Sequence, residues 1–545
     1  MPVEFRRAGD TRGDDWAASL GACRIACEVA GLGTSELEAR RDVPHKLRTL
    51  FGVHATLGHA RRVARWPFCA LALTMLTGCL MVGPDFQSPP PPGIGGFLPG
   101  QRESVPGAAV IRGAQISERW WDVFRSRNLN RLIQDGIENN PDLQAAEAAV
   151  RVAQANAYAL RGTLFPVISA TFDASRQMIP GQTLTSNVTS GATIYSLYTP
   201  QVTVAFVPDV FGGTRRAIES ADAVTEQQSF QREAVYVTLA SNIALAAIQE
   251  ASLRGQIAAT RRVIDIQSQL LDILRRQNDR GQIALPDVVA QETAAAQARL
   301  LLPPLERQLA QQRNLLATLT GRFAAEGLSA AFELASFRLP GRLPLSLPAD
   351  LVRQRPDIRA AEANLHALNA QIGVAFANRL PQIKLTGNAG SSADAIERLF
   401  SPGTIFWTIA GNAAQTVFDA GSLFYKQKAA EEAAAQAAAQ YRSTVLVAFQ
   451  NVADVLRALQ ADARTVSAAV AAEESANRSI DLVRRQVEQG QVSSPVLLNA
   501  QQAYLQTSLA RVQAQAARLA DTVALYQALG GGWWNRSPSP EIAVQ

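Results

Sequence analysis

From Ser422 to Gln489 the chain runs for 68 residues without a glycine or a proline, and from Thr214 to Arg280 only Gly255 interrupts a second such run. Glycine and proline are the residues that most readily end a helix. At a rise of 1.5 Å per residue, each run predicts a helix of roughly 100 Å, several times the diameter of an ordinary domain. Elements of that length have to leave any compact core or membrane and cross a compartment. Each ends at a glycine turn, Gly281-Gln282 or Gly490-Gln491, and a second helical stretch returns from it to Gly321 or Gly530. Residues 429–440 (AAEEAAAQAAAQ) are too small and polar for an ordinary core. They suit helices packed closely around a wide, wet lumen, and they also suit a solvated coiled coil, which periodicity does not separate from it.

The two long runs belong to an internal duplication. Asn140-Pro-Asp-Leu-Gln-Ala-Ala-Glu-Ala148 matches Arg355-Pro-Asp-Ile-Arg-Ala-Ala-Glu-Ala363 at an offset of 215, which also carries Pro166 to Pro381 and Ile168 to Ile383. Farther on, Arg275-Arg-Gln-Asn-Asp-Arg-Gly-Gln282 matches Arg484-Arg-Gln-Val-Glu-Gln-Gly-Gln491 at an offset of 209, which takes Pro286 to Pro495. A period this long is a duplicated half rather than a solenoid unit. Each half opens with a helix carrying proline in its first turn, Pro141 or Pro356, where the missing amide costs nothing. Alternating segments follow: Ile168, Ala170 and Phe172, then Val202, Val204 and Phe206; in the second half Ile383, Leu385 and Gly387, then Ile405, Trp407 and Ile409. Period two with one apolar face predicts strands. A strand with lipid outside and water inside gives the same pattern as one lying on a soluble core.

Ahead of both halves stands Leu76-Thr77-Gly78-Cys79, a Leu-x-Gly-Cys box of the kind that marks a bacterial cysteine for lipidation. Arg61, Arg62 and Arg65 supply a positive flank, and Trp66 to Met75 form an apolar run too short to span a bilayer. Pro84 and Pro89 to Pro92 then read as a tether. On this reading the mature chain starts at Cys79 with a diacylglycerol thioether and an N-acyl chain, and holds no cofactor. Residues 1–60 are left without a purpose and read as an over-extended start, with Val53 or Val63 as alternative initiation points. A metal site from Cys23, Cys27 and His45 matches no familiar spacing. Removing residues 1–78 takes 11 of the 52 basic and 8 of the 47 acidic side chains, leaving 41 against 39, so the basic sequence pI gives no case for a nucleic-acid partner. His366 is then the one histidine and no cysteine follows Cys79, which excludes Cys/His metal sites. A Ser-His-Asp triad would rest on His366 alone, which reads as a helix-surface or packing residue. No glycine-rich phosphate loop is present. The chain reads as a non-enzyme.

Several motifs occur in order: Val82-Gly-Pro-Asp-Phe86, Trp120-Trp-Asp-Val-Phe124, Leu351-Val-Arg-Gln-Arg-Pro-Asp-Ile-Arg-Ala-Ala-Glu-Ala363, Ala370-Gln-Ile-Gly-Val-Ala375 and Val417-Phe-Asp-Ala-Gly421. Through them the chain resembles the TolC-like outer-membrane efflux proteins, of the OprM or NodT lipoprotein type that serves RND pumps, from Cys79 to about Gly532. The resemblance implies a mixed, mainly α fold. Three copies would share one transmembrane β-barrel, continued by an α-helical barrel through the periplasm and ringed by a small mixed equatorial belt. The division it suggests is a signal peptide at 61–78, a lipidated tether at 79–117, a first repeat at 118–321, a belt segment at 322–350, a second repeat at 351–530 and a tail at 531–545. It implies a passive exit duct in the outer membrane, fed by an inner-membrane RND-type pump through a periplasmic membrane-fusion adaptor. Gly281, Gln282, Gly490 and Gln491 fall at the tips that meet the adaptor. Asp287 fits one position of the acidic ring at the aperture; Val496 stands at its repeat equivalent and Asn499 replaces another acid. Asp287 reads equally as a cap of the returning helix. A duct for secreted polypeptides would use the same architecture, although the lipobox favours the efflux branch. A non-transporting envelope spacer would need no lipid-facing strands.

Overall fold

The computed structural model describes residues 81–100, 104–179, 193–328, 330–489 and 491–536. The lipobox residues Leu76, Thr77, Gly78 and Cys79, everything before them, and Gly490 lie outside the described residues. The chain order is β1 (Ala109–Arg112), a 3-10 turn at Trp120–Phe124, α1 (Arg127–Asn139), α2 (Pro141–Gly162), β2 (Val167–Ile179), β3 (Thr193–Phe206), α3 (Gly213–Asp279), α4 (Leu285–Leu300) and α5 (Leu302–Leu319). The second half follows with β4 (Arg342–Leu345), α6 (Pro348–Gln354), α7 (Pro356–Ala377), β5 (Gln382–Ser391), β6 (Ile405–Ala414), α8 (Ser422–Glu488) and α9 (Ser494–Ala528). The duplication is thus repeated in space: α2-β2-β3-α3-α4 and α7-β5-β6-α8-α9 have the same order.

Local chemistry explains the boundaries. Asn140 accepts the amides of Asp142 and Leu143 at 2.9 and 3.2 Å and so caps α2, with Pro141 in the first turn. At the strand-to-helix junctions Asp209 accepts the amides of Thr214 and Arg215 at 2.9 and 3.0 Å, and Asp419 accepts those of Gly421 and Leu423 at 3.0 and 2.7 Å. Gly212 and Gly421 turn the chain there with φ of 77° and 86°. α3 and α8 each run 67 residues, as their composition predicts. The returning stretches differ. α9 is continuous over 35 residues, but the stretch expected to return unbroken to Gly321 divides at Leu301 into α4 and α5. The reason is Pro303-Pro304, whose rings lack amides and clash with the preceding turn.

The helices extend the order of the strands. α2 packs on α3, α3 on α7 and α7 on α8, while toward the tips α8 packs on α9 and α9 on α3. The most apolar stretch of α3 is long enough to cross a membrane by composition, but 67% of it is buried among these neighbours, which makes it core. The largest core cluster lies where the ends of the two repeats meet: Trp120, Trp121 and Phe124 sit against Ile243, Ala244 and Ala247 of α3 and Tyr526 of α9, whose ring stacks on Trp120 at 5.4 Å. The segment read as a tether contributes here too, since Val105 and Ile116 are buried and β1 pairs in parallel with β4. This two-stranded sheet, with Phe332 and Phe337, is the belt.

One buried charge ties the belt to the helices. Glu250 of α3, 1% exposed, accepts Arg254 at 2.7 Å, Arg313 of α5 at 3.5 Å and the amide of Phe332 at 3.1 Å. A carboxylate this deep is tolerable only when paired and hydrogen-bonded. Glu250→Leu leaves the buried Phe332 amide and the Arg254 guanidinium without their acceptor, while Arg313 keeps the Leu328 carbonyl, so it should cost about 1–3 kcal/mol. Thermal unfolding of the purified protein checks this, with Arg254→Met, which leaves Arg313 and the Phe332 amide in place, expected to cost clearly less.

Candidate functional site

β2, β3, β5 and β6 form one antiparallel sheet in that order. Its register makes the alternation of each strand coincide with that of the next. Ser169, Thr203, Asn388 and Thr408 share one rung, and the neighbouring rungs hold Ala170, Val202, Ala389 and Trp407 on one side of it and Ile168, Val204, Gly387 and Ile409 on the other. One face is therefore polar and the opposite face apolar. The apolar face is bare: Trp407 is 73% exposed and Ile409 82%. This decides what the alternation alone left open, because a sheet folded onto a soluble core would bury these side chains. The outer strands β2 and β6 are exposed almost throughout, whereas the inner strand β3 is half-buried, and each outer strand has one edge with no partner among the described residues. An apolar face suits hydrocarbon; an open edge does not, because backbone amides and carbonyls find no partner there. Further strands from other copies of the chain remove the edges.

At the far ends of the long helices the two repeats make the same turn. Gln282 donates its amide to the Gln277 carbonyl at 2.9 Å, and Gln491 donates to Gln486 at 2.8 Å. Gly281 has φ of 71°, and open space surrounds the position of an added Cβ, so backbone conformation rather than crowding calls for glycine. Asp287 stands in the first turn of α4 but does not cap it: the N-cap position is Ala284 and receives no side-chain bond. Its carboxylate there faces the positive end of the helix. Val496 and Asn499 occupy exposed positions at the start of α9. Leu285, Val289 and Val496 together expose apolar surface at this end.

The sequence reading marked Asp419 only as part of the Val417–Gly421 motif and Asp209 not at all, and gave neither the role of holding the strands to the long helices. They stand 210 residues apart, so the duplication could have revealed them. Nor did it foresee the mooring of the Val82–Phe86 motif. Arg216 of α3 donates to the carbonyls of Val82 and Gly83 at 3.0 and 3.2 Å and to Asp85 at 2.6 Å, while Phe86 stacks on His366 at 4.4 Å. His366 is thus a packing residue, bonded to Glu219 at 3.0 Å.

The family model described as outer membrane efflux protein matches residues 132–322 and 347–531, one block for each repeat. The chain belongs to the outer membrane efflux protein family. Among its relatives, the probable efflux pump outer membrane protein TtgC of Pseudomonas putida is 30% identical over 471 residues, covering 86% of this chain and 96% of its own. The pyoverdine export outer membrane protein OpmQ of the same species is 30% identical over 456 residues, covering 83% and 96%. The outer-membrane channel OprN superposes with a TM-score of 0.76 at 26% identity, over 83% of this chain and all of that one. The CmeC channel of Campylobacter jejuni shares the fold, with a TM-score of 0.76 at 20% identity over 83% and 95%. This outer membrane efflux protein is accordingly a homotrimeric outer-membrane channel, mainly α, and its four strands are one third of a shared barrel continued by helices into the periplasm.

Because Trp407 lies on the lipid side and Thr408 on the lumen side, the efflux protein should separate two adjacent substitutions. Trp407→Arg should cost about 2–4 kcal/mol if the position is near mid-bilayer, and Thr408→Arg should assemble normally. The amount of heat-modifiable trimer in outer-membrane fractions checks both, and equal losses would contradict the assignment of the faces.

Proposed function

We propose that this protein is the passive exit duct of a tripartite efflux machine, receiving small molecules from an inner-membrane RND-type pump through a periplasmic membrane-fusion adaptor. The observation that carries the proposal is the continuity of one layer: the open-edged sheet with its apolar outer face runs through Asp209 and Asp419 directly into helices of roughly 100 Å. The duct itself has no energy source, so transport has to be driven from the other membrane. Relatives named for pyoverdine export and for efflux of toluene support small molecules as cargo over polypeptides. In the same proposal no step is catalytic, the tips around Gly281, Gln282, Gly490 and Gln491 meet the adaptor, and Asp287, Val496 and Asn499 border the aperture. The repeats are proposed to span 118–321 and 351–530, with the belt made by 322–350 together with β1 of the 79–117 segment.

Cys79 is proposed to carry the lipid. Met81 packs against Gly212, where an added Cβ would come within 2.8 Å of the Met81 Cα, and the Val82 amide donates to the Phe211 carbonyl at 3.2 Å. These contacts hold the start of the described chain beside the sheet-to-helix junction, a depth suited to a lipid in the inner leaflet. Cys79→Ser should therefore accumulate as unprocessed precursor, while the wild-type protein takes up radiolabelled palmitate. Absence of label in the wild type removes the lipoprotein assignment.

At the tip, Gly281→Val forces a β-branched residue to positive φ at a cost of about 1 kcal/mol or more, too little to undo a trimer. Trimer abundance should stay near normal while cells become more sensitive to exported compounds, and Gly490→Val should do the same. Asp287→Ala should change single-channel conductance in planar bilayers, most for cations at low salt, where three symmetry-related charges are least screened. Full export by both glycine variants together with unaltered conductance would remove the tip from docking and from gating.

A further inference from the structure

Asp462 of α8 and Asp521 of α9 face each other where these antiparallel helices pass the belt, flanked by buried Leu459, Leu519 and Val523. The Arg511–Glu473 ion pair, about three turns nearer the tip, joins the same two helices in the same register. Oδ2 of Asp462 is shielded from solvent and finds no N–H or O–H donor among the described residues. The register set by the Arg511–Glu473 pair puts the Asp521 carboxyl opposite it, within reach of a carboxyl–carboxyl hydrogen bond. Two ionised carboxylates are acceptors only, so that bond requires a proton. Both observations have one explanation.

Among the described residues, the surrounding charges are engaged elsewhere. On α9, Arg518 donates to the Pro106 carbonyl at 3.2 Å, and Tyr526, whose phenol burial pushes up to about 12, stacks on Trp120. On α8, Arg457 reaches the Gln460 side chain at 3.4 Å and Arg464 the Gln460 carbonyl at 3.3 Å. On α3, Glu250 is held by Arg254 and Arg313. Among the described residues, Asp462 is the charged group that acts on Asp521.

We propose that Asp462 and Asp521 share one proton, and that this shared proton is a pH-responsive clasp joining α8 to α9 at the belt. Burial, reinforced by the Asp462 hydrogen bond and charge, pushes the Asp521 carboxyl up to about 7, against about 3.9 in an unfolded chain. A folded-state value above the unfolded one means that the clasp contributes fully below about pH 4 and is lost as the pH rises to about 7. Above that, two carboxylates repel across the helix pair whose far end forms the Gln489–Gln491 turn. The α8–α9 hairpin is tighter in acid and looser in mild alkali.

The test uses the assembled full-length protein in lipid discs. Hydrogen exchange of amides in residues 458–466 and 517–525, corrected for intrinsic rates, should show local opening about tenfold more frequent at about pH 8 than at about pH 5, since each pH unit between the two carboxyl values is worth up to about tenfold. Asp521→Asn preserves size and donates an amide hydrogen to Asp462, so its opening should be independent of pH. Infrared spectra supply a second readout: a protonated-carboxyl band present in the wild type at about pH 6, lost above about pH 7, and missing in Asp521→Asn. The proposal is overturned if wild type and variant share one exchange profile, if the band is absent from the wild type at about pH 6, or if the band titrates without any change in exchange.

Discussion

The free edges of β2 and β6 govern the rest of the structure. Every amide and carbonyl along an open edge costs several kcal/mol in hydrocarbon, and four strands cannot close on themselves. The sheet is therefore stable in a membrane only when each copy lends its edges to the next. Because β2 and β6 lie at opposite ends of one antiparallel order, the contact between copies is heterologous, and it closes into a ring. That requirement reaches into the helices, since α2, α3, α7 and α8 carry the strand order downward and have to close around the same axis.

Closure by repetition explains why so much of the single chain looks unfinished. Exposed Trp407 and Ile409 meet lipid, and small residues along α3 and α8 allow close approach of helices where a conventional core would need larger ones. Conventional packing is concentrated where a copy must hold its own two repeats together. There Trp120, Trp121 and Phe124 fill the gap between α3 and α9, and Glu250 fastens Phe332 and the belt to two helices. The mooring of Val82 to Phe86 on Arg216 and His366 adds a second fixed point beside the membrane.

Features set by periodicity were legible in the sequence. The 67-residue helices, the strand pairs, the duplication and the twin tip turns all follow from where glycine and proline fall and from which residues alternate. Features set by partners distant in sequence were not. No local pattern says that Arg216 meets Val82, that β1 pairs with β4, or that Asp462 meets Asp521. Alternation likewise could not separate a lipid face from a core face; that took the register and the exposure of Trp407. The one regular element read wrongly, the continuous return to Gly321, fails at Pro303-Pro304, a signal that was present in the chain.

The central claim is that the edges of neighbouring copies pair with each other, β2 to β6. Disulfide trapping in native outer membranes tests it most directly, with Cys at Ser169 of β2 combined with a scan of Cys at Phe406, Thr408, Ala410 and Asn412 of β6, all on the polar face. The account predicts that one or two of the double variants form covalent dimers and closed trimers while every single variant stays monomeric under denaturing, non-reducing conditions. Cross-linking of the Ser169 variant with itself, or none across the whole scan in protein that assembles normally, would contradict it.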